Sequence, residues 1–456
     1  MSGDRRHSIW RGMLAFLWLS LTAAQAQPAT SLQERLAAAA PGDTVRVVGG
    51  VHSGPLRITQ PVVLLGEQMP VIDGRGQGTV VTIEAPHVVL QGFVIRNSGR
   101  SLDQEDAGIA VYADHVTIAD NRLEKVLFGI YLRQADSCRI LRNIIEGDLT
   151  LETARRGDLI RLWYSNDAII QDNVTRYGRD VVIWFARGIV LRGNTIAFGR
   201  YGLHFMYSDQ ALIERNRMLQ NSVGAYLMYS TRLTFRHNLL AYNRHASAIG
   251  VGLKDMDEVR VEENAFVDNQ IGIFIDNSPR AIEAQIRYRG NVIAYNDIGV
   301  QALQEAPRST FEDNSFMDNY EQVDLVGGGQ FSEENGTFWR RNYWSDYRGY
   351  DADRDGYGDL PYQAVALFDA LTDRTPAFRL FVFSPAVQAL ELAARAFPVI
   401  RPAPKLIDPT PRMHPRLPEG LPAARQQPQP TLALAGLALL LMGMLTVSRV
   451  HLRRLD

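Results

Sequence analysis

One histidine and two methionines, His204, Met206 and Met228, recur at positions that a repeating chain brings side by side. Aligned on its recurrent asparagines, the sequence places Arg133, Trp163, Trp184, Met206 and Met228 ten residues before Asn143, Asn173, Asn194, Asn216 and Asn238. Twelve residues before the same asparagines stand Tyr131, Arg161, Val182, His204 and Tyr226. The residues between these columns, Leu132, Ile183, Phe205 and Leu227, are apolar. Neighbours along a strand alternate faces, so the apolar column points inward and both flanking columns share the outer face. Adjacent strands lie ~4.8 Å apart, which makes Met206 and Met228 neighbours, with His204 two residues along the same strand. One imidazole and two thioethers form a donor set that soft Cu(I) favours. The same face, with Trp163, Trp184 and Tyr226, also reads as an apolar docking patch for a partner, and the spacing leaves both readings open.

A second group of ligand-type residues follows at Asp351, Asp353, Asp355 and Asp359, with Gly356 inside the run. Oxygen donors at the first, third and fifth positions and glycine at the sixth resemble the opening of a calcium loop. The twelfth position is Tyr362 rather than glutamate, so the alternative is a hydrogen-bonded Asp-Gly turn closing the last repeat.

The elements that position these residues follow from the period. Asn97, Asn121, Asn143, Asn173, Asn194, Asn216, Asn238, Asn264, Asn291 and Asn314 each end a short strand-like phrase, at steps of 21 to 30 residues. Such a step, with alternation and no room for a helix, predicts an all-β solenoid, a parallel β-helix with one coil per repeat. Each asparagine is expected at a tight corner, in a left-handed backbone conformation, with its amide bonded to the asparagine of the next coil. Cys138 falls in the inward column of Ile189, Ala211 and Leu233, and reads as a core residue. It is the single cysteine, so no internal disulfide framework exists.

The ends divide the chain further. Residues 1–26 read as a signal peptide: Arg5, Arg6 and Arg11, an apolar run from Met13 to Leu21, and a cleavage pattern at Ala24 to Ala26. Ser31 to Glu34 form a capping box for a short helix covering the open N-terminal end. The β-helix is assigned to 27–361, and a helical and Pro-rich C-terminal tail follows. Within it, 362–412 is an apolar partner-docking segment containing Leu380, Phe383, Leu390 and Phe397, and 413–430 is a Pro-rich linker. Residues 431–448 form a transmembrane anchor and 449–456 a basic cytoplasmic tail, predicting a periplasmic body attached to the inner membrane.

A formal net charge of −2 gives no footprint for nucleic acid. The competing class is a carbohydrate-active β-helix lyase or hydrolase, for which Asp209, Glu214, Asp255 and Asp257 are the nearby carboxylates. They do not fall in one column, so the enzyme reading ranks below a binding protein. A metal-free structural adaptor keeps the same partner face.

Several stretches together resemble the NosD family of periplasmic maturation factors for nitrous oxide reductase. They are Leu162–Ser165 (LWYS), Val181–Trp184 (VVIW), Tyr201–Ser208 (YGLHFMYS) and Tyr226–Ser230 (YLMYS), then Arg341–Tyr347, Gly349–Asp353 and Phe383–Phe397. The resemblance covers about residues 31 to 412. It implies a right-handed parallel β-helix that is not itself catalytic. It further implies work with an ABC transporter (a membrane subunit and its ATPase), and with a copper-chaperone lipoprotein that feeds Cu(I) toward the copper-sulfur cluster of apo nitrous oxide reductase. The assignment of His204, Met206 and Met228 comes from the coil alignment and not from the family.

Overall fold

In a computed structural model of the chain, the described residues are 31–245, 248–304, 306–327, 329–365, 384–386, 389 and 404–419. The signal peptide, the anchor and Leu380, Phe383, Leu390 and Phe397 lie outside them.

Each repeat contributes one short strand to each of three parallel sheets, of 13, 13 and 12 strands, so the chain winds into a parallel β-solenoid. Alternation sorts the side chains as expected: Leu132, Ile183, Phe205 and Leu227 are fully buried, as is Cys138. Burial pushes the Cys138 thiol up to about 11, which leaves it an inert packing residue. The core changes from aliphatic to aromatic toward the C-terminal end. Tyr288, Phe311 and Trp339 stack at 4.3 and 3.9 Å, and Phe316, Trp344 and Tyr362 at 4.2 Å each.

The asparagine ladder runs unbroken from Asn121 to Asn342. In a typical rung, Asn143 donates its backbone N–H (2.9 Å) and Nδ2 (3.0 Å) to Oδ1 of Asn173, and Nδ2 also reaches the Ile118 carbonyl (2.9 Å). Two expectations are corrected. Asn97 is not a rung: its amide goes to Asp73, and the ladder position of its coil is Phe93, whose N–H donates to Asn121 Oδ1. Nor, apart from Asn97 itself at φ 56°, is the asparagine the left-handed residue of the corner. That role falls to the residue before it, including Asp120, Arg142, Asp172, Arg215 and His237, with φ between 52° and 56°. The division is physical: one residue bends the backbone, and the next uses its amide to satisfy the groups the bend leaves unpaired.

A second ladder stands five residues further on, through Asn221, Asn243, Asn269, Asn296 and Asn319. Its signal is present in the sequence as a recurrent Asn-x4-Asn phrase.

Both ends are closed. The helix Leu32–Ala38 carries the full capping box between Ser31 and Glu34 and buries Leu32 and Leu36 on the first coil. At the other end, Tyr362 and Gln363 pair antiparallel with Asp408 and Ile407. Leu406 is buried there, and Arg412 N–H donates to the Asn342 carbonyl. Residues 404–412, expected within the partner-docking segment, thus cap the last coil. The strap continues into the expected linker, where Ser315 Oγ and the Arg416 backbone exchange two 2.8 Å hydrogen bonds and Arg416 pairs with Glu263 at 3.2 Å. Among the described residues no helix is long and apolar enough to cross a membrane.

Candidate functional site

The outer face of the 12-stranded sheet holds the candidate donors. Strands Asp180–Trp184, Tyr201–Met206 and Val223–Met228 pair in register, with Trp184 opposite Met206 and Met206 opposite Met228. Val182, His204 and Tyr226 form the parallel column two residues earlier. The alignment therefore brings together His204, Met206, Met228, Trp184 and Tyr226, with Trp163 one coil before Trp184. All six side chains are half-buried, open to approach but not freely solvated.

His204 is held firmly. Trp184 and Tyr201 meet its ring edge-on, each with centroids 5.1 Å away. Its Nδ1 is buried and makes no hydrogen bond among the described residues, lying 3.6 Å from Asp180 Oδ2. Asp180 also receives Arg200 Nε (3.0 Å) and the Tyr201 N–H (3.1 Å), and ion-pairs with the Arg200 guanidinium terminus. Burial works to raise the Asp180 carboxyl, but His204 and Arg200 outweigh it and hold the group below the usual carboxylate range. A carboxylate beside Nδ1 favours a proton there and leaves Nε2 as the lone-pair nitrogen for a metal.

One coil earlier Asp158, equally buried, repeats the arrangement with Arg179 at 3.0 Å. Burial pushes its carboxyl up to about 6, against the pull of Arg179 and Arg161. The Arg161 guanidinium lies 5.1 Å from the Tyr131 ring and 5.7 Å from that of Trp163, so the face is bounded on this side by a caged cation. Leu151, in the longest repeat, and Trp163 both pack against the buried cluster that contains Tyr131 and Phe128. The methionines lie in later coils.

The sequence argument missed a further column. Tyr164, Phe185, Tyr207 and Tyr229, each directly after a member of the Trp-Trp-Met-Met series, stack at 4.8, 5.3 and 4.9 Å. Each sits at a left-handed corner with φ of 49° to 55°. The recurrent Tyr-Ser and Phe-Ala pairs after the outer column were the available sign.

Two of the carboxylates of the enzyme reading lie away from this face. Glu214 lies on another sheet, clamped between Arg192 (2.6 Å) and Arg236 (2.7 Å). Asp257 is on that same sheet and accepts the N–H groups of Arg280 and Ala281.

At the C-terminal end, ligand atoms of Asp351, Asp353 and Asp355 lie within 4.8 Å of one another. The N–H of Asp355 donates to Asp351 and Asp353, and that of Gly356 to Asp351. Asp359 stands apart from the cluster: its carboxylate accepts the Ala352 N–H.

Comparison with known proteins places this geometry. A family model described as "NosD: Periplasmic copper-binding protein (NosD)" matches residues 141–349, which contain Trp163, Trp184, His204, Met206, Tyr226 and Met228. A protein of Pseudomonas aeruginosa named probable ABC transporter binding protein NosD is 30% identical over 445 residues, 91% of this chain and 96% of that protein. A protein of the same name from Stutzerimonas stutzeri is 29% identical over 400 residues, 84% of this chain and 89% of its own. Among solved structures, the A-module of Azotobacter vinelandii mannuronan C-5 epimerase AlgE6 covers 67% of this chain and 91% of its own, with a TM-score of 0.53. Its sequence identity is 16%, so that likeness is one of fold alone. Because the identity to the Pseudomonas protein extends over nearly the full length of both sequences, this chain belongs to the NosD family.

Proposed function

We propose that this protein is a periplasmic accessory factor that helps deliver copper (or sulfur) to the copper-sulfur centre of nitrous oxide reductase, without being an enzyme itself. It carries Cu(I) transiently on His204, Met206 and Met228. The observation that supports this most directly is the register of Met206 against Met228, with His204 on the same face and its Nδ1 turned to Asp180. Two thioethers and one imidazole fit a soft monovalent ion, and the thioethers are poor ligands for zinc. The family description as copper-binding supports the same class of metal.

The relatives are named as ABC transporter binding proteins, which supports association with the membrane subunit of such a transporter and, through it, its ATPase. In this reading the copper-chaperone lipoprotein and apo nitrous oxide reductase meet the face around Trp163, Trp184 and Tyr226. The segment between Val365 and Pro404, with Leu380, Phe383, Leu390 and Phe397, docks on the membrane subunit, and residues 431–448 hold the body at the inner membrane. Asp351, Asp353 and Asp355 form a separate calcium-class cluster; Asp359 is not part of it.

Titration of purified protein with Cu(I) against a competing chelator tests the central claim. The wild type binds one Cu(I) and discriminates against Zn(II). Met206→Leu and Met228→Leu keep volume and hydrophobicity, so the fold survives while the soft donors are lost. Normal Cu(I) binding and normal reductase maturation by the double variant would make the face a docking patch and not a metal site.

A further inference from the structure

Tyr226 stands between two very different neighbours in its column. On one side it pairs with His204, and on the other with Gly252. A methyl group built on Gly252 would lie 2.9 Å from both Cδ2 and Cε2 of the Tyr226 ring and 3.3 Å from Cζ. The Tyr226 ring therefore occupies the space a side chain at Gly252 would take, while its centroid stays 6.1 Å from the ring of Tyr201 on the strand of His204.

The backbone at Gly252 does not explain the glycine. Its φ is not in the left-handed region, so an alanine there meets no conformational penalty of that kind. What it meets is the phenol. Beyond Gly252 the column continues with the half-buried Phe274, which closes the far side. A ring expelled from Gly252 is left with the side of His204 and Met206, one strand spacing of ~4.8 Å back.

We infer that Gly252 is a positioning residue for the soft-metal face. Its missing side chain is a berth for the Tyr226 ring, and berthing that ring keeps His204, Met206 and Met228 open to an incoming Cu(I) ion. The inference rests on the copper reading of those three residues, and its test separates the two.

Three variants are compared with the wild type: Gly252→Ala, Tyr226→Ala and the double variant. Cu(I) affinity is measured by chelator competition. The Tyr226 ring is followed separately, without metal, by proton NMR contacts between its ring protons and the α-proton of residue 252. Gly252→Ala is expected to weaken Cu(I) binding about tenfold or more, equivalent to ~1.4 kcal/mol. Its Tyr226 ring should lose those contacts with residue 252. The double variant, which has no ring to expel, should return to the affinity of Tyr226→Ala alone. That return also distinguishes ring displacement from general damage, because an unfolded or strained sheet would not be rescued by removing a second side chain. Gly252→Ala binding Cu(I) as the wild type does, or weakened binding that the double variant fails to restore, overturns the inference while leaving the copper site standing. A wild type that takes up no Cu(I) refutes the copper reading instead, and the ring contacts with residue 252 still report whether Gly252 berths the ring.

Discussion

Asp408 stands to Asn342 as each rung of the ladder stands to the one before it. Its Oδ2 accepts the Asn342 backbone N–H at 2.9 Å and its Nδ2 at 3.0 Å, and the Trp344 indole N–H at 3.2 Å. A residue from the returning strap, 66 positions away in sequence, thus serves as the final rung. Burial raises this carboxyl, and the N–H groups aimed at it offset only part of that effect.

Asp408→Ala should destabilise the protein by about 2–4 kcal/mol, because it strands several buried donors at once. Asp408→Asn keeps an acceptor oxygen in place and should lose less than half as much. Urea denaturation, with limited proteolysis of residues 404–419, measures both. Equal losses from the two variants would mean that the charge, and not the rung geometry, holds the strap.

Asn238→Ala and Asn97→Ala should differ sharply despite their similar sequence settings. Asn238 donates to Asn264 and to the Ile213 carbonyl and accepts from Asn216, so its loss leaves buried groups unpaired and should cost about 2–4 kcal/mol. Asn97 is half-buried and bonds only sideways to Asp73, so its replacement should cost about 1 kcal/mol. The same urea experiment ranks them, and an equal cost would contradict the placement of Asn97 outside the ladder.

Asp158 gives stability a pH dependence whose sign follows from its raised carboxyl. Below the ordinary value of 3.8 the group is protonated in both folded and unfolded chains, and its contribution is fully present. As pH rises from there to about 6, the unfolded chain releases the proton while the folded chain keeps it, and stability falls by up to about 3 kcal/mol. Asp158→Asn should flatten the stability curve across that window. Parallel curves for the two proteins between pH 4 and 6 would show that Arg179 and Arg161 hold the carboxylate ionised after all.

Calcium added to chelator-treated protein should raise its melting temperature if Asp351, Asp353 and Asp355 bind the ion, and Asp353→Asn should remove the rise. A melting temperature unmoved by millimolar calcium would leave the loop as a turn whose carboxylates are satisfied by the Asp355 and Gly356 N–H groups.

The sequence was most legible where a residue type has one mechanical use. The ladder asparagines, the inward apolar columns and the Ser31–Glu34 capping box each answer a local demand, so period and spacing place Met206 beside Met228 without further information. Asn97 was misread because it resembles a rung in its local phrase while lying four residues past the ladder position of its coil, now seen to be Phe93. Contacts made by chain return were not legible at all. Nothing local at Asp408 or Lys405 announces that they meet Asn342 and Glu321, since those partners are set by how the strap closes the end. The berth at Gly252 was equally hidden, because an inconspicuous glycine in a strand acquires meaning only from the ring above it.

Stacking coils one upon another also makes the molecule a ruler. The sheet carrying the donors continues beyond Val223–Met228 through four more strands to Glu321–Leu325, where the strap lysine, Lys405, pairs with Glu321 at 2.6 Å. At ~4.8 Å per strand, the donor face is held roughly 19 Å along the axis from the strap. That separation can change only in whole coils. A partner seated at the strap and another seated at the methionines are therefore spaced by a count of repeats, and adding or removing one repeat between them would shift their registration by one fixed step while leaving both surfaces intact.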